Sequence, residues 1–153
     1  MKKKFLFLIV LCASAYAQAF TGTINLAKNE GAVKRALILS KWSIDKRGVP
    51  SFEYHYSQSG PKCDYERAGR ATAGFEDAGD HVELEVYSGQ DSNGKEGPAF
   101  TIFYDKADDV VFTMPISGKS DPVWVSFEDA LMKKKLPAQC RYTGKGSAAI
   151  FKK

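Results

Sequence analysis

Residues 81–116 read HVELEVYSGQDSNGKEGPAFTIFYDKADDVVFTMPI, and this stretch decides the fold. His81 to Tyr87 alternates with Val82, Leu84 and Val86 on one side. Ala99 to Asp105 alternates with Phe100, Ile102 and Tyr104, and Val110 to Ile116 with Val110, Phe112 and Met114. Period-two runs of β-branched and aromatic residues are the signature of half-buried strands. The first pair is joined by the Gly-, Asn- and Asp-rich segment 90–98 and the second by 106–109, so the three strands predict an antiparallel meander.

Working outward, Ser51 to Gln58 places Phe52, Tyr54 and Tyr56 on one face and Glu53, His55 and Ser57 on the other, a strand with one wet face. Residues 32–45 fit a period of two through Ala36, Ile38, Trp42 and Ile44. They also fit a helical face through Val33, Ala36, Leu37 and Ser40, and a strand is the reading adopted. Gly69 and Gly74 predict a bend or bulge in any strand over 63–75. Short strands are expected at 20–26, 139–143 and 147–152. One helix is expected over about 127–135, with Ser126 as its cap, Glu128 and Asp129 in its first turn, Lys133 to Lys135 in its last, and Pro137 as its stop. The fold class is mainly β: a compact antiparallel barrel or sandwich with one short helix.

The chain starts with Lys2, Lys3 and Lys4, an apolar run from Phe5 to Ala13, and small residues in A-x-A spacing. This is the pattern of a cleaved signal peptide over 1–17, with cleavage after 19 as the alternative. Leu11 before Cys12 is a poor fit to a lipoprotein site. The remainder, 18–153, is a single β-rich domain of normal size. The expected compartment is the bacterial periplasm or the exterior. Cys63 and Cys140 then remain, an even pair that predicts one disulfide in an oxidising compartment.

The net charge of the whole chain is +4. Loss of the three leader lysines brings it to +1, which removes the basic excess that nucleic-acid binding requires. The charge is unevenly placed. Residues 76–109 hold ten acids and two lysines, while 28–50 and 110–153 are basic. Such an acidic block projects a negative potential unless neighbouring basic strands cancel it.

Catalytic signatures are missing. There is no G-x-S-x-G, H-E-x-x-H or C-x-x-C. Gly118-Lys119-Ser120 mimics the end of a phosphate loop, but Thr113 stands where its first glycine belongs. His81, Glu83 and Glu85 share a strand face and read as solvated, and Asp91 to Glu96, which lacks the spacing and distal glutamate of a calcium loop, reads equally well as a hairpin tip. No cofactor or metal is expected.

The sequence therefore predicts an exported, non-enzymatic protein-binding module. By analogy of architecture alone, this would be a hydrolase inhibitor or an immunity-type protein engaging a cationic partner. The expected contact residues are Asp91, Glu96, Asp105, Asp108, Asp109, Lys119 and Trp124. Trp124 also suits a core position against the helix. Two alternatives make different demands. A small-ligand carrier needs a barrel cavity lined by residues such as Phe100, Tyr104 and Phe112. An enzyme needs His55 or His81 beside a shielded carboxylate.

Overall fold

The computed structural model describes residues 22–90, 96–105, 109–115, 124–141 and 149–152. The leader pattern, Asp91, Asp108 and Lys119 lie outside the described residues, as do the side chains of residues 90, 96–98 and 149.

Eight antiparallel strands close into a barrel. They are β1 (Ile24–Glu30), β2 (Val33–Ile44), β3 (Pro50–Ser59), β4 (Tyr65–Ala73), β8 (Glu96–Asp105), β9 (Val110–Pro115), β10 (Trp124–Asp129) and β11 (Ala149–Lys152). β11 returns to β1 through Ala27↔Lys152, and β4 meets β8 through Thr72↔Tyr104 and Ala73↔Phe103. Between β4 and β8 the chain makes β5 (Phe75–Asp77) and β6 (Val82–Leu84), a two-stranded hairpin separate from the barrel. It then makes β7 (Val86–Gln90), which pairs with the first half of β8.

Alternation sets which side of each strand is buried, and the barrel resolves what sequence left open. In β3, Phe52, Tyr54 and Tyr56 point inward as expected. In β2, Leu37 and Leu39 are fully buried, while Ala36 and Ile38 face outward. A bulge between Ser40 and Ser43, with Lys41 at φ 49°, then reverses the parity. Trp42 therefore closes over the barrel end, 4.6 Å from the Phe52 ring. The period-two set Ala36, Ile38, Trp42 and Ile44 joins residues from the two sides of that bulge.

In β8 the inward residues are Thr101, Phe103 and Asp105, and Phe100, Ile102 and Tyr104 face outward, which reverses the expectation of an inner aromatic face. Val86 also differs from expectation. Leu84 is buried, but the strand ends there, and after Glu85 Val86 emerges in β7 at 42% exposure.

The interior is filled. Tyr56 stacks on Phe127 at 4.6 Å, and Phe112 lies 5.2 Å from both Phe52 and Phe127. An eight-stranded barrel is just wide enough for side chains to fill it, and here they do. The cavity that a carrier requires does not form between Phe100, Tyr104 and Phe112, because the first two lie outside the wall and the third is packed on all sides. No helix is long and apolar enough to cross a membrane among the described residues. The apolar interior, with Glu53, His55, Glu66 and Arg70 facing outward, inverts the pattern of a lipid-spanning barrel.

The helix is shorter than expected. Residues 124–129 remain in strand, and α1 spans Ala130–Lys135. Its cap is Asp129, whose Oδ1 accepts from the Leu131 and Met132 amides, and not Ser126. A 3-10 turn at Ala138–Cys140 stands where a strand was expected to begin at 139, and residues 142 and 143 lie outside the described residues. Asp129 is fully buried, and its Oδ2 accepts from the Tyr65 hydroxyl at 2.6 Å, with Arg67 Nε at 3.6 Å. Burial, then the bond to Asp129, pushes the Tyr65 phenol well above its ordinary ionisation range. Asp129→Asn keeps the helix cap but removes a charged acceptor. We expect a loss of about 1–2 kcal/mol in urea unfolding, and an unchanged midpoint would refute the role given to Oδ2.

The disulfide forms as predicted. Cys63, in the β3–β4 turn, and Cys140, after α1, have Cα atoms 5.1 Å apart. Beneath it Gln58 uses all its hydrogen-bonding capacity. Its Nε2 donates to the Cys63 and Cys140 carbonyls at 2.9 and 3.0 Å, and its Oε1 accepts from Tyr56 Oη at 2.7 Å and Arg35 Nε at 3.1 Å. Arg35, itself buried, reaches Glu30 at 2.7 Å. A fully satisfied buried network of this kind fixes one arrangement, and it seals this end of the barrel.

Candidate functional site

At the end of β3 away from the disulfide, the β5–β6 hairpin stands beside the β2–β3 turn. Gly74 ends β4. Its amide donates to the Ile102 carbonyl at 2.8 Å, and its own carbonyl accepts from the Glu85 amide at 2.9 Å. The first bond ties the hairpin to the barrel wall, and the second joins its two feet. Its cross-strand pairs are Phe75↔Leu84, Glu76↔Glu83 and Asp77↔Val82. Leu84 and Phe75 hold it inward, while Glu76, Asp77 and Asp80 are exposed. Two glutamates directly opposite one another repel. The turn supplies some compensation. Arg47 lies 4.7 Å over the Phe75 ring and 3.5 Å from Asp45, and Lys46 and Arg47 share a depression of about 310 Å³ with Asp77, Asp80 and His81.

His81 sits near the hairpin tip, with Nδ1 2.6 Å from Asp80 Oδ1 and Nε2 3.4 Å from Glu83 Oε1. The bond to Asp80, then that to Glu83, raises the imidazole pKa above 6.5. The stabilisation is therefore fully present below the unfolded-state value and is lost as pH rises through the folded one. NMR titration is expected to place the His81 midpoint above 6.5, and Asp80→Asn should lower it. A midpoint unmoved by that substitution would dismiss the pairing. Glu85 does not join this group. The face His81, Glu83, Glu85 is split because Glu85 turns into a separate cleft.

That cleft, about 440 Å³, is walled by Arg70, Thr72, Gly74, Phe75, Glu85 and Tyr104. Glu85 Oε2 accepts from Tyr104 Oη at 3.3 Å and Tyr87 Oη at 3.4 Å. The charge of Glu85 is the main influence raising the Tyr87 pKa, while burial leads for Tyr104, with Glu85 next. Arg70 is held toward the other rim by Ser43, Ser51 and Glu53 at 3.0, 2.9 and 3.4 Å.

The contact residues expected from sequence are scattered. Asp105 is buried at 7% exposure, accepting from Tyr54 Oη at 2.9 Å inside the barrel, and presents nothing to a partner. Asp109 is exposed in the β8–β9 turn at φ 54°. Glu96 opposes Gln90 at the start of β8. Trp124 is half-buried on the outer wall, beside Lys152. Asp129, at the other end of Trp124's strand, pairs with Val110, so about 17 Å of strand separates Trp124 from the Asp105–Asp109 turn. His55 is exposed on β3 between Ile38 and Ala68. What sequence reasoning did not single out is the cleft. Its residues meet only through the β4–β8 register and the two Gly74 bonds, and no local pattern carries that. In comparison with known proteins, no family model, no curated protein and no solved structure matches this chain.

Proposed function

We propose that this protein is an exported, non-catalytic module that binds a cationic protein, of the kind that inhibits a hydrolase or confers immunity to one. The observation that carries the reading is the division of labour in the fold. The barrel interior is filled by aromatic side chains, while Glu76, Asp77 and Asp80 stand exposed on a hairpin outside it. A charged surface on a rigid scaffold steers an oppositely charged partner and speeds its docking. Lys46 and Arg47 offset part of that field, but Arg47 is already shared with Asp45.

A non-catalytic role is supported by the histidines. His81 and its carboxylates lie in water on the hairpin, and His55 lies on an open strand face, whereas acid–base chemistry wants one group shielded. The Cys63–Cys140 disulfide fits an oxidising compartment, and the leader-like residues 1–17 support export into the bacterial periplasm or beyond.

The test is calorimetric titration against a panel of cationic wall-cleaving hydrolases, lysozymes included, with turnover measured alongside. Binding and inhibition are expected for at least one, weakening at least about tenfold between roughly 0.05 and 0.5 M salt and again in Glu76→Lys/Asp77→Lys. Absence of binding across the panel, or binding indifferent to salt and to charge reversal, would remove the proposal.

A further inference from the structure

We propose that the cleft between β4, β8 and the β5–β6 hairpin is a socket for one arginine side chain of the bound protein, with the Glu85 carboxylate taking the guanidinium and the Tyr104 ring flanking it. The proposal rests on the reading of the protein as a binder of cationic proteins and names where that binder would be anchored.

Four observations carry it. First, the carboxylate is held for a ligand. Glu85 Oε2 receives two long phenol hydrogen bonds, from Tyr104 at 3.3 Å and Tyr87 at 3.4 Å. Neither phenol neutralises it, and it pairs with no cation among the described residues. A carboxylate that is partly shielded and lacks a counter-ion favours a cationic guest, and a planar guanidinium can meet its two oxygens together.

Second, the sequence makes room for the carboxylate. A Cβ on Gly74 would collide with Glu85 Oε2, and would stand 2.9 Å from Tyr104 Cε2. Gly74 has no left-handed φ to account for it. It is small because the carboxylate and the ring occupy the place of its side chain.

Third, the cation that lines the cleft is already committed elsewhere. Arg70 is engaged by Ser43, Ser51 and Glu53 on the opposite rim, and Glu53 is shared with Lys41 at 2.8 Å. Fourth, the walls are flat and apolar where a guanidinium stacks. Tyr104 and Phe75 both line the cleft, and Phe75 already carries the guanidinium of Arg47 from the neighbouring turn at 4.7 Å. The volume, about 440 Å³, lies toward the small end of ligand sites, which run roughly 300–1,000 Å³, and suits a single long side chain.

The experiment is an amide-resolved NMR titration of the full chain with N-acetyl-arginine amide, the corresponding lysine amide, and the neutral isostere N-acetyl-citrulline amide. The arginine probe is expected to give saturable shifts at Thr72, Gly74, Phe75 and Glu85, with the citrulline probe at least about tenfold weaker. Glu85→Gln should abolish these shifts, and so should Gly74→Ala. The isosteric Glu85→Gln keeps the test decisive if Gly74→Ala perturbs folding. Equal response to all three probes, shifts that never saturate, or shifts that persist in Glu85→Gln would overturn the socket. Titrating the hydrolase panel with Glu85→Gln separates the two proposals. Full binding by this variant, with loss in Glu76→Lys/Asp77→Lys, sinks the socket and leaves the binding module standing. Arginine-probe binding in the absence of any hydrolase binding does the reverse.

Discussion

Gly69→Ala is expected to destabilise the barrel by about 3 kcal/mol, although alanine is ordinarily tolerated in a strand better than glycine. Gly69 faces inward on β4, opposite Tyr54 on β3. An added Cβ would overlap Asp105 Oδ2 and stand 2.9 Å from the Tyr54 hydroxyl. Neither neighbour can step aside. The Tyr54 ring packs on Phe112 at 4.9 Å, and Asp105 is buried within the wall. The methyl must therefore displace the buried Tyr54–Asp105 hydrogen bond. Overpacking costs about 1–3 kcal/mol, and stranding a buried carboxylate about as much again. The lower chain entropy of alanine in the unfolded state returns up to about 1 kcal/mol. The shift in the urea midpoint measures the result. Tyr54→Phe in the same background should cost less than it does alone, since the bond is already broken. A Gly69→Ala protein as stable as the parent would show that the wall is softer than drawn.

Removing the disulfide is expected to cost about 4 kcal/mol, the largest single effect in this molecule. Cys63 and Cys140 are 77 positions apart, and freeing so long a loop enlarges the unfolded ensemble by about that much. The native state suffers as well. Gln58 bonds the carbonyls of both cysteines, so when the bridge opens, two buried acceptors gain freedom to leave the amide that satisfies them. Cys63→Ala/Cys140→Ala should thus unfold at markedly lower urea, and the parent protein in reductant should follow the same curve. Added to the double variant, Gln58→Leu should cost less than it does alone. An unfolding midpoint indifferent to reductant would contradict this account.

Some of this architecture was legible from residues alone, and the exceptions share a physical cause. Ser51 to Gln58 announced a strand because its polar and aromatic residues separate cleanly, and the cysteine pair announced its own bond. The Ala99–Asp105 run was readable as a strand but not as a face. Both sides carry large side chains, and what turns Asp105 inward is a phenol on β3, 51 positions away. Asp129 was placed in the first turn of a helix when it is the last residue of β10 and the cap of α1. Tyr65 and Arg67, distant in sequence, hold its other oxygen. Gly69 did not mark a bulge. The β3–β4 register runs unbroken through it, and its smallness serves Asp105. For the site, the charge count marked residues 76–109 as acidic and drew the acidic contact residues from 91–109. The structure buries Asp105 and exposes Glu76, Asp77 and Asp80 instead. Gly74, Glu85 and Tyr104 form a cleft only once β4 and β8 are in register, and no spacing rule encodes that.

The shared edge of β8 has one further consequence. β4 holds it at only two positions, Thr72↔Tyr104 and Ala73↔Phe103, before β7 takes over the remainder. Here the backbone amides should trade hydrogen for deuterium sooner than along the long β2–β3 and β3–β4 ladders. When this seam parts, it bares two unpaired strand borders, the arrangement from which copies of a protein exchange segments at high concentration. The Cys63–Cys140 bridge crosses between the two halves that would hinge away from each other, so the covalent link acts as a hasp on that join.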